Sequence, residues 1–384
     1  MWPQLSSVIG HRSSVIGHRS SVIGHYVSEL QGEIMSKHSI KVGKGLGDIS
    51  ESTLQFFRQV GVEAVSIPKK YNEKSDGVLT TRPLVPPTQT GPAGRMGKPW
   101  DEAEVRRVID RVTDYGFSIE GTRLGLSGNI VMGGEGREAD VETVCQNIEL
   151  AGKLGLKVLN YNFTALRASE GYGALPGEGR GGATLRDFDY DRIKELPPLD
   201  NVGAHSMDEM WERFHWFLER VLPSAEAAGV KLAVHPNDPP VPVYRGVAQP
   251  LGDFEGYKRI IDLVDSPSNC VFFDTGVTTE MGYDAAEAIR YFGARGRIGT
   301  VHFRNVRVIE DRYKYVEVFH DDGDADLAEC MRAFHEVGYE GLIDPDHTPY
   351  LAGDNEGTQI GWAFAIGQIV GLRNACASSE QNVN

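Results

Sequence analysis

Eight runs of β-branched and apolar residues, separated by amphipathic helical segments, place the strongest constraint on the fold of this chain. This alternation is typical of parallel strands joined by crossover helices. Several of the intervening helical segments end at a glycine, which suits a left-handed helix C-cap. The predicted strands cover residues 39–43, 62–68, 117–124, 156–163, 230–236, 269–276, 298–306 and 339–347. Eight successive strand–helix units predict an α/β fold with a closed (β/α)8 architecture, a TIM barrel.

An open, doubly wound sheet is the alternative architecture for the same alternation. Its dinucleotide-binding form carries G-x-G-x-x-G directly after the first strand, and the segment GKGLGDIS at residues 43–50 lacks that spacing. The closed barrel is therefore favoured.

The N-terminal segment contains a short repeat: SSVIGHR begins at residue 6, recurs at once and is followed by SSVIGHY. Such repeats favour a disordered extension, so residues 1–34 are assigned to an extension and residues 35–384 to a single catalytic barrel domain beginning at Met35. The alternative role of the repeat is metal binding by its evenly spaced histidines. These histidines are His11, His18 and His25.

The charge balance argues against a nucleic-acid partner. The formal net charge is -15, from 39 Lys and Arg against 54 Asp and Glu, and such a surface repels a phosphate backbone. No apolar run approaches the roughly 20 residues of a membrane span, and no signal-peptide pattern begins the chain. We therefore expect no membrane partner and a cytoplasmic location. A homo-oligomer remains open by analogy with other barrels.

Two long insertions, residues 69–99 and 164–204, follow the second and fourth predicted strands. In a barrel both would lie at the C-terminal face, where active sites are built. They are predicted to form lids or substrate walls, or simply to elaborate the surface.

Four metal-ligating side chains stand at the ends of the last four predicted strands: His235, Asp274, His302 and Asp346. Any one of them alone is more typical of a hydrogen-bonded polar residue or a helix cap, but four on successive strands of one barrel face predict a metal site. Two imidazoles and two carboxylates suit Mn2+, Fe2+, Co2+ or Zn2+.

His347 directly follows the last predicted ligand and is the candidate general acid or base, because imidazole titrates near neutral pH. The alternative is a structural role in holding Asp346. His320 could approach the site as well, although the acidic run beginning at Asp321 favours a capped helix start there.

Substrate contacts are predicted from the segments next to these ligands. In HPNDPP, Asp238 would bind a hydroxyl or orient a ligand. In HFRNV, Arg304 shares a strand face with His302 and would clamp a substrate carboxylate or, alternatively, form an internal salt bridge. The further candidate contacts are Asn162, Arg167 and Asn305.

From YNF at residues 161–163 to the C-terminal helix, the sequence resembles the metal-dependent mannonate dehydratase family of the xylose-isomerase-like barrels. HPNDPP is similar to the family's H-P-D-D-P-P, HFRNV to H-[LF]-R-N-V, DDGDADL to D-G-D-x-D, and DPDHTP to R-P-D-H-G. The resemblance implies dehydration of D-mannonate, a sugar acid, to 2-keto-3-deoxy-D-gluconate with Mn2+ or a similar ion. It also implies metal ligation by the four residues named above and proton transfer by His347.

The chain departs from the family pattern around this site. Asp274 stands where the family has a cysteine ligand, which favours harder ions such as Mn2+ or Mg2+. Asp344 and Thr348 replace an arginine and a glycine, and Thr358 stands where a tyrosine is expected. A sugar or sugar-acid isomerase or epimerase of the same superfamily is therefore an alternative. A non-catalytic sugar-acid binding protein is a further one.

Overall fold

The eight predicted strands form a closed parallel barrel, as the alternation of strands and helices indicated. The structure is a computed structural model and describes residues 40–69, 91–92, 97–167, 170–310, 312–354 and 358–381. The N-terminal repeat, its three histidines, Met35 and most of the first insertion lie outside the described residues. The barrel strands are β1 (Lys41–Gly45), β2 (Ala64–Ile67), β3 (Ser118–Arg123), β4 (Val158–Asn162), β5 (Lys231–His235), β6 (Asn269–Asp274), β7 (Ile298–His302) and β8 (Leu342–Asp344).

Each barrel strand pairs in parallel with its neighbours in sequence, and β8 closes the ring on β1 by pairing Ile343 with Val42. All six residues of β6 are buried, as expected for a strand enclosed by the barrel interior on one face and by helices on the other. The carboxyl ends of β5 to β8 therefore meet at one mouth of the barrel.

The connecting helices are α1 (Glu51–Gln59), α2 (Glu102–Asp114), α3 (Gly128–Met132), α4 (Arg137–Lys153), α5 (Met207–Ala228), α6 (Phe254–Leu263), α7 (Thr275–Glu280), α8 (Ala285–Gly293), α9 (Leu327–Glu336) and α10 (Gln359–Gln381). Their apolar faces cover the outside of the barrel; Phe217 of α5, for example, packs against Tyr161 of β4 with ring centroids 5.6 Å apart. Within the described part of the chain, no helix combines the length and apolar character that a membrane span requires.

The seventh strand is shorter than predicted. It ends at His302, because the backbone of Arg304 turns away and bonds the hydroxyl of Thr275, with an N–O distance of 2.9 Å. The chain then enters a separate antiparallel sheet, here called the cap sheet. Its strands, in spatial order, are Asn305–Glu310, Lys314–Val318, Leu185–Asp189 and Tyr172–Leu175.

The second insertion supplies two of the four cap-sheet strands. The cap sheet contacts the barrel mouth, because Glu317 lies 3.0 Å from His347 and Tyr315 lies 3.3 Å from Asp238. The insertion is thus part of an ordered wall beside the predicted site rather than a simple surface elaboration. Two further strand pairs join Gly91–Pro92 to Leu166–Arg167 and Val243–Tyr244 to Val247–Ala248.

Gly121 in β3 lets β4 approach closely, and this gives a test of the barrel packing. A Cβ atom at Gly121 would lie 1.8 Å from the backbone carbonyl oxygen of Val158. We expect Gly121→Ala to lower the free energy of unfolding by about 3 kcal/mol, because backbone cannot move aside as a side chain can. Denaturant unfolding monitored by circular dichroism measures the change. Gly367 of α10 has open space around it, so Gly367→Ala should instead stabilise the protein by roughly 0.5–1 kcal/mol; equal effects of the two changes would contradict the close approach.

Candidate metal centre and active site

Three of the four predicted metal ligands lie together at the mouth of the barrel. His302 Nδ1 is 3.2 Å from His235 Nε2 and 3.3 Å from Asp274 Oδ2, and the latter two atoms are 3.5 Å apart. A single ion could therefore contact all three side chains, which have ligand atoms within 4.8 Å of one another. Two imidazole nitrogens and a carboxylate oxygen are a donor set that fits a divalent transition-metal ion.

The environment of each ligand directs one atom toward this group. His235 Nδ1 lies 2.8 Å from the carbonyl oxygen of Pro236, which favours a proton on Nδ1 and leaves Nε2 free for a metal. The carboxylate of Asp274 has separate roles for its two oxygens. Oδ1 accepts a hydrogen bond from the Val277 backbone N–H at 2.8 Å and caps α7, while Oδ2 faces the two histidines.

Burial disfavours ionisation of Asp274, but Arg304 and the neighbouring histidines outweigh it and hold the pKa of this carboxyl well below its usual range. The group is therefore ionised at neutral pH. Aspartate at the position of the family's cysteine predicts a hard oxygen donor. The ionised carboxylate of Asp274 is a donor of that kind.

Asp346, the fourth predicted ligand, places Oδ2 3.5 Å from His302 Nδ1. Its backbone φ of 53° lies in the left-handed region, which few non-glycine residues adopt, aspartate being among the more frequent of them. The conformation is held by Asp344, whose Oδ1 accepts a hydrogen bond from the Asp346 N–H at 2.9 Å. The role of Asp346 as a ligand stays a prediction.

Asp344 stands where the family has arginine, and here it is a buried acceptor of three hydrogen bonds. Besides Asp346, it binds Lys44 Nζ at 2.7 Å and the Gly45 N–H at 2.6 Å. Lys44 Nζ also lies 4.0 Å from the ring centroid of Trp362. Asp344 thus joins the end of β8 to the end of β1 and fixes the segment that presents Asp346.

We expect Asp344→Asn to weaken Mn2+ binding by about 10- to 100-fold, because the amide NH2 cannot accept a hydrogen bond and the segment that presents Asp346 therefore loses at least one of its three hydrogen bonds and the charge that faces Lys44. Calorimetric titration of the metal-free protein with Mn2+ measures the change. Asp200 is exposed and forms no ion pair among the described residues, so Asp200→Asn is the matched control. Equal affinities of the Asp344 variant and the unmodified protein would show that Asp346 needs no such support.

Arg304 is the centre of an ion-pair network rather than a free carboxylate clamp. Its Nε lies 3.2 Å from Oδ2 of both Asp274 and Asp346, Nη1 lies 2.8 Å from Glu280, and Nη2 lies 3.3 Å from Asp238. The side chain is 1% exposed. Every nitrogen of the guanidinium therefore has a carboxylate partner. The observed position matches the alternative of an internal salt bridge, and the expected clamp on a substrate carboxylate stays a prediction.

Glu280, a partner of Arg304, was not anticipated from the sequence. It is the last residue of α7 and is fully buried, and its Oε2 has no hydrogen-bond partner among the described residues. Burial raises the pKa of Glu280 well above its usual value even though Arg304 opposes the shift. A glutamate within a helix gives no sequence signal of such a position, because helices carry glutamate routinely on their exposed faces.

Asp238 connects this network to the cap sheet. Its Oδ1 accepts hydrogen bonds from the hydroxyls of Tyr172 at 2.6 Å and Tyr315 at 3.3 Å. Asp238 was predicted to bind a hydroxyl or to orient a ligand, and its neighbours place it between Arg304 and two phenols. Tyr172 comes from the second insertion, and no sequence motif marks its position.

His347 bridges the ligands and the cap sheet. Its Nε2 lies 3.4 Å from Asp346 Oδ2, and its Nδ1 lies 3.0 Å from Glu317 Oε2. Arg186 Nη1 lies 3.3 Å from the same Nδ1 and 2.9 Å from Glu317 Oε1. Glu317 and Arg186 lie on cap-sheet strands that carry no recognisable motif. Neither residue could therefore be singled out from the sequence.

Two further predicted substrate contacts, Asn162 and Asn305, have different surroundings. Asn162 ends β4 in register with His235 and accepts a hydrogen bond from Arg123 at 3.1 Å, so it lies at the barrel mouth. The carboxamide of Asn305 donates to the carbonyls of His320 and Ala325 and accepts from two backbone N–H groups. It holds the loop before α9 with all four hydrogen-bonding positions of its carboxamide occupied, and its expected role as a substrate contact stays a prediction.

Arg167, Asp326 and Thr358 are the other residues for which the sequence carries an expectation. The side chain of Arg167 lies outside the described residues. The acidic run does end in a helix cap, since Asp326 accepts a hydrogen bond from the Glu329 N–H at 2.9 Å. Thr358, at the position expected for tyrosine, is buried just before α10 with a φ of 46°.

Comparison with known proteins agrees with the family resemblance. The family model for D-mannonate dehydratase (UxuA) matches residues 180–383. The chain is 30% identical over 322 residues to the mannonate dehydratase of Thermotoga petrophila, covering 74% of this chain and 89% of that protein. It is 31% identical over 288 residues to that of Lachnoclostridium phytofermentans, covering 65% and 79%.

Solved structures share the fold. A mannonate dehydratase from Streptococcus suis serotype 2 superposes with a TM-score of 0.73 at 22% identity, covering 89% of this chain and 95% of that one. A xylose isomerase domain protein from Alicyclobacillus acidocaldarius gives 0.55 at 13% identity, covering 88% and 99%. The barrel is thus of the xylose-isomerase-like type. By its sequence, this chain belongs to the D-mannonate dehydratase (UxuA) family of enzymes.

Proposed function

We propose that this chain is a hydro-lyase that converts D-mannonate to 2-keto-3-deoxy-D-gluconate and water, with Mn2+ as its metal ion. The observation that carries the proposal is the group formed by His235, Asp274 and His302 at the barrel mouth of a chain of this family. We assign the three residues as metal ligands, with Asp346 as the fourth. A divalent ion held there would stabilise negative charge that develops on the substrate carboxylate.

Dehydration and the tautomerisation that follows it need proton movements at C2 and C3 of the sugar acid. The proton at C2 of the sugar acid must be removed, and the hydroxyl at C3 must leave with a proton as water. The resulting enol then takes a proton at C3 and becomes the keto acid, so that the elements of one water molecule are lost overall. We assign a proton transfer to His347, because its imidazole lies 3.4 Å from Asp346 and is 17% exposed. It is thus within reach of both the ligand group and a bound substrate.

Asn162 and Asp238 are proposed to contact substrate hydroxyls, since both lie at the barrel mouth with their polar atoms half-buried. The fixed Asp238–Tyr172–Tyr315 arrangement would orient these groups before substrate binds, which lowers the entropic cost of reaching the reactive geometry.

The test is an assay of the Mn2+-loaded protein against a panel of aldonic acids, D-mannonate included, for formation of 2-keto-3-deoxy acids. We expect product from D-mannonate. Conversion to an isomeric sugar acid without loss of water would favour an isomerase or epimerase instead. Metal binding without any turnover would favour a sugar-acid binding protein.

A further inference from the structure

Arg186 reaches the barrel mouth from the cap sheet with one edge of its guanidinium unpaired. It stands opposite Glu317 in the sheet, and its Nη1 lies 2.9 Å from Glu317 Oε1 and 3.3 Å from His347 Nδ1. Its Nε is buried without a hydrogen-bond partner among the described residues, and Nη2 forms no hydrogen bond or ion pair with any of them. The N–H groups of Nε and Nη2 point from one edge of the guanidinium in parallel, so a pair of donors is left for a ligand.

The unpaired edge of Arg186 needs an explanation, because buried donors in folded proteins are nearly always paired. Arg304, the other arginine at this site, has a carboxylate partner at each nitrogen. The guanidinium of Arg186 is held in place, since its Cζ lies 3.8 Å from the ring centroid of Tyr172 and the side chain is 6% exposed. A fixed guanidinium with two free donors is suited to bind a polar ligand.

The space beside Arg186 belongs to the barrel mouth. The other polar side chains that line it are those of Arg304, Asn305, Glu317, His347 and Thr348. The ion pair of Arg186 with Glu317 combines donors with carboxylate oxygens that have further lone pairs, and its two charges cancel. Such a surface suits hydroxyl groups, which both donate and accept hydrogen bonds. It suits a second carboxylate less, because Glu317 would repel it.

Arg186 lies farther from the metal ligands than His347 does. Asp346 Oδ2 lies 3.4 Å from His347 Nε2, and Arg186 Nη1 lies 3.3 Å from the other nitrogen of the same ring. The carbon chain of a six-carbon acid has five bonds of about 1.5 Å and spans roughly 6 Å when extended. A sugar acid with its carboxylate at the metal can therefore place its far hydroxyls at Arg186, whereas a three-carbon acid is too short.

We propose that Arg186 is a specificity-determining residue that binds the hydroxyls at the far end of a linear sugar acid and so selects long polyhydroxy acids over short hydroxy acids. This inference rests on the proposed function, since it takes the substrate carboxylate to be at the metal. It gives the second insertion a specific task, because the strand Leu185–Asp189 of that insertion supplies Arg186.

The test compares two acids that lack a hydroxyl at C3 and therefore cannot be dehydrated: the 3-deoxy derivative of D-mannonate, and lactate, which ends at C3. Both acids keep the carboxylate and the hydroxyl at C2, so binding is measured without turnover. Calorimetric titration of the Mn2+-loaded protein gives the Kd of each acid. We expect the 3-deoxy derivative to bind about 10- to 100-fold more tightly than lactate, as hydrogen bonds to a charged group allow.

Arg186→Lys keeps a positive charge opposite Glu317 but removes the two parallel donors. We expect this change to weaken binding of the 3-deoxy derivative by about 10-fold and to leave binding of lactate unchanged. Arg192→Lys is the matched control. Arg192 belongs to the same insertion but pairs with Asp187, which lies on the opposite face of the cap sheet because neighbouring side chains in a strand alternate. Both affinities should be unchanged in this control.

Equal weakening of both acids by Arg186→Lys would overturn the proposal and show that Arg186 only holds its neighbours in place. Unchanged affinity for the 3-deoxy derivative would overturn it as well. If the variant failed to fold, equal affinities of the unmodified protein for the two acids would still do so. Binding is separate from turnover, so a protein that shows the expected affinities but dehydrates no sugar acid would count against the proposed function and not against the role of Arg186.

Discussion

His347→Asn should reduce turnover of D-mannonate by about 1,000-fold, because asparagine fills similar space but cannot take up or release a proton at neutral pH. The ring lies between Asp346 and Glu317, and the proposed proton transfer needs a titratable group at that point. Metal binding should persist, since His347 is outside the group formed by His235, Asp274 and His302. Steady-state kinetics and calorimetric titration with Mn2+ separate the two effects.

The matched control for this change is His215→Asn. His215 is on α5, with 46% of its side chain exposed, and its replacement should alter neither kcat nor metal affinity. Normal activity of the His347 variant would remove its role in proton transfer. Loss of metal from that variant would mean that His347 acts chiefly by holding Asp346.

The barrel could be predicted from the sequence because each of its units carries a local signal. The eight strands are short apolar runs, and the helices between them begin at polar caps such as Ser206 and end at glycines such as Gly229, whose φ is 66°. These signals depend on residues close together in the chain. The closed ring then follows from the number of units and the handedness of their connections.

The group formed by His235, Asp274 and His302 could be predicted for a related reason. The ends of parallel strands meet at one mouth of a barrel, so residues at those ends become neighbours whatever the loops do. His235, Asp274 and His302 are brought together in this way. Asp346 Oδ2 lies 3.5 Å from His302 Nδ1, and the left-handed backbone of Asp346 leaves no mark in the sequence.

The surroundings of the group could not be predicted, since they depend on contacts across long sequence separations. Arg186 and Glu317 are 131 residues apart and meet through cap-sheet pairing. The sequence predicts that Arg304 shares a strand face with His302 only if the strand continues to residue 306. The strand ends at His302, and Arg304 reaches the site from the short connection between that strand and the cap-sheet strand that begins at Asn305.

Arg304→Met should destabilise the fold strongly. The guanidinium is the charged partner of Asp238, Asp274 and Glu280 and also contacts Asp346. Methionine replaces much of its volume but leaves buried carboxylates without their cation, which typically costs about 3–5 kcal/mol. We expect the midpoint of denaturant unfolding to fall accordingly. Arg107 is exposed on α2 and forms no ion pair among the residues described, so Arg107→Met should leave the midpoint unchanged.

The same variant distinguishes a structural arginine from a substrate clamp. A clamp contributes to binding only when substrate is present, so its loss would raise KM and leave the stability of the free protein almost unchanged. The position of Arg304, 1% exposed with a carboxylate at each nitrogen, predicts the opposite pattern. Stability should fall in the free protein, and Mn2+ affinity should change with it, because Arg304 Nε contacts the same oxygens of Asp274 and Asp346 that face His302. Normal stability of the variant together with a raised KM would instead support a role for Arg304 in binding the substrate carboxylate.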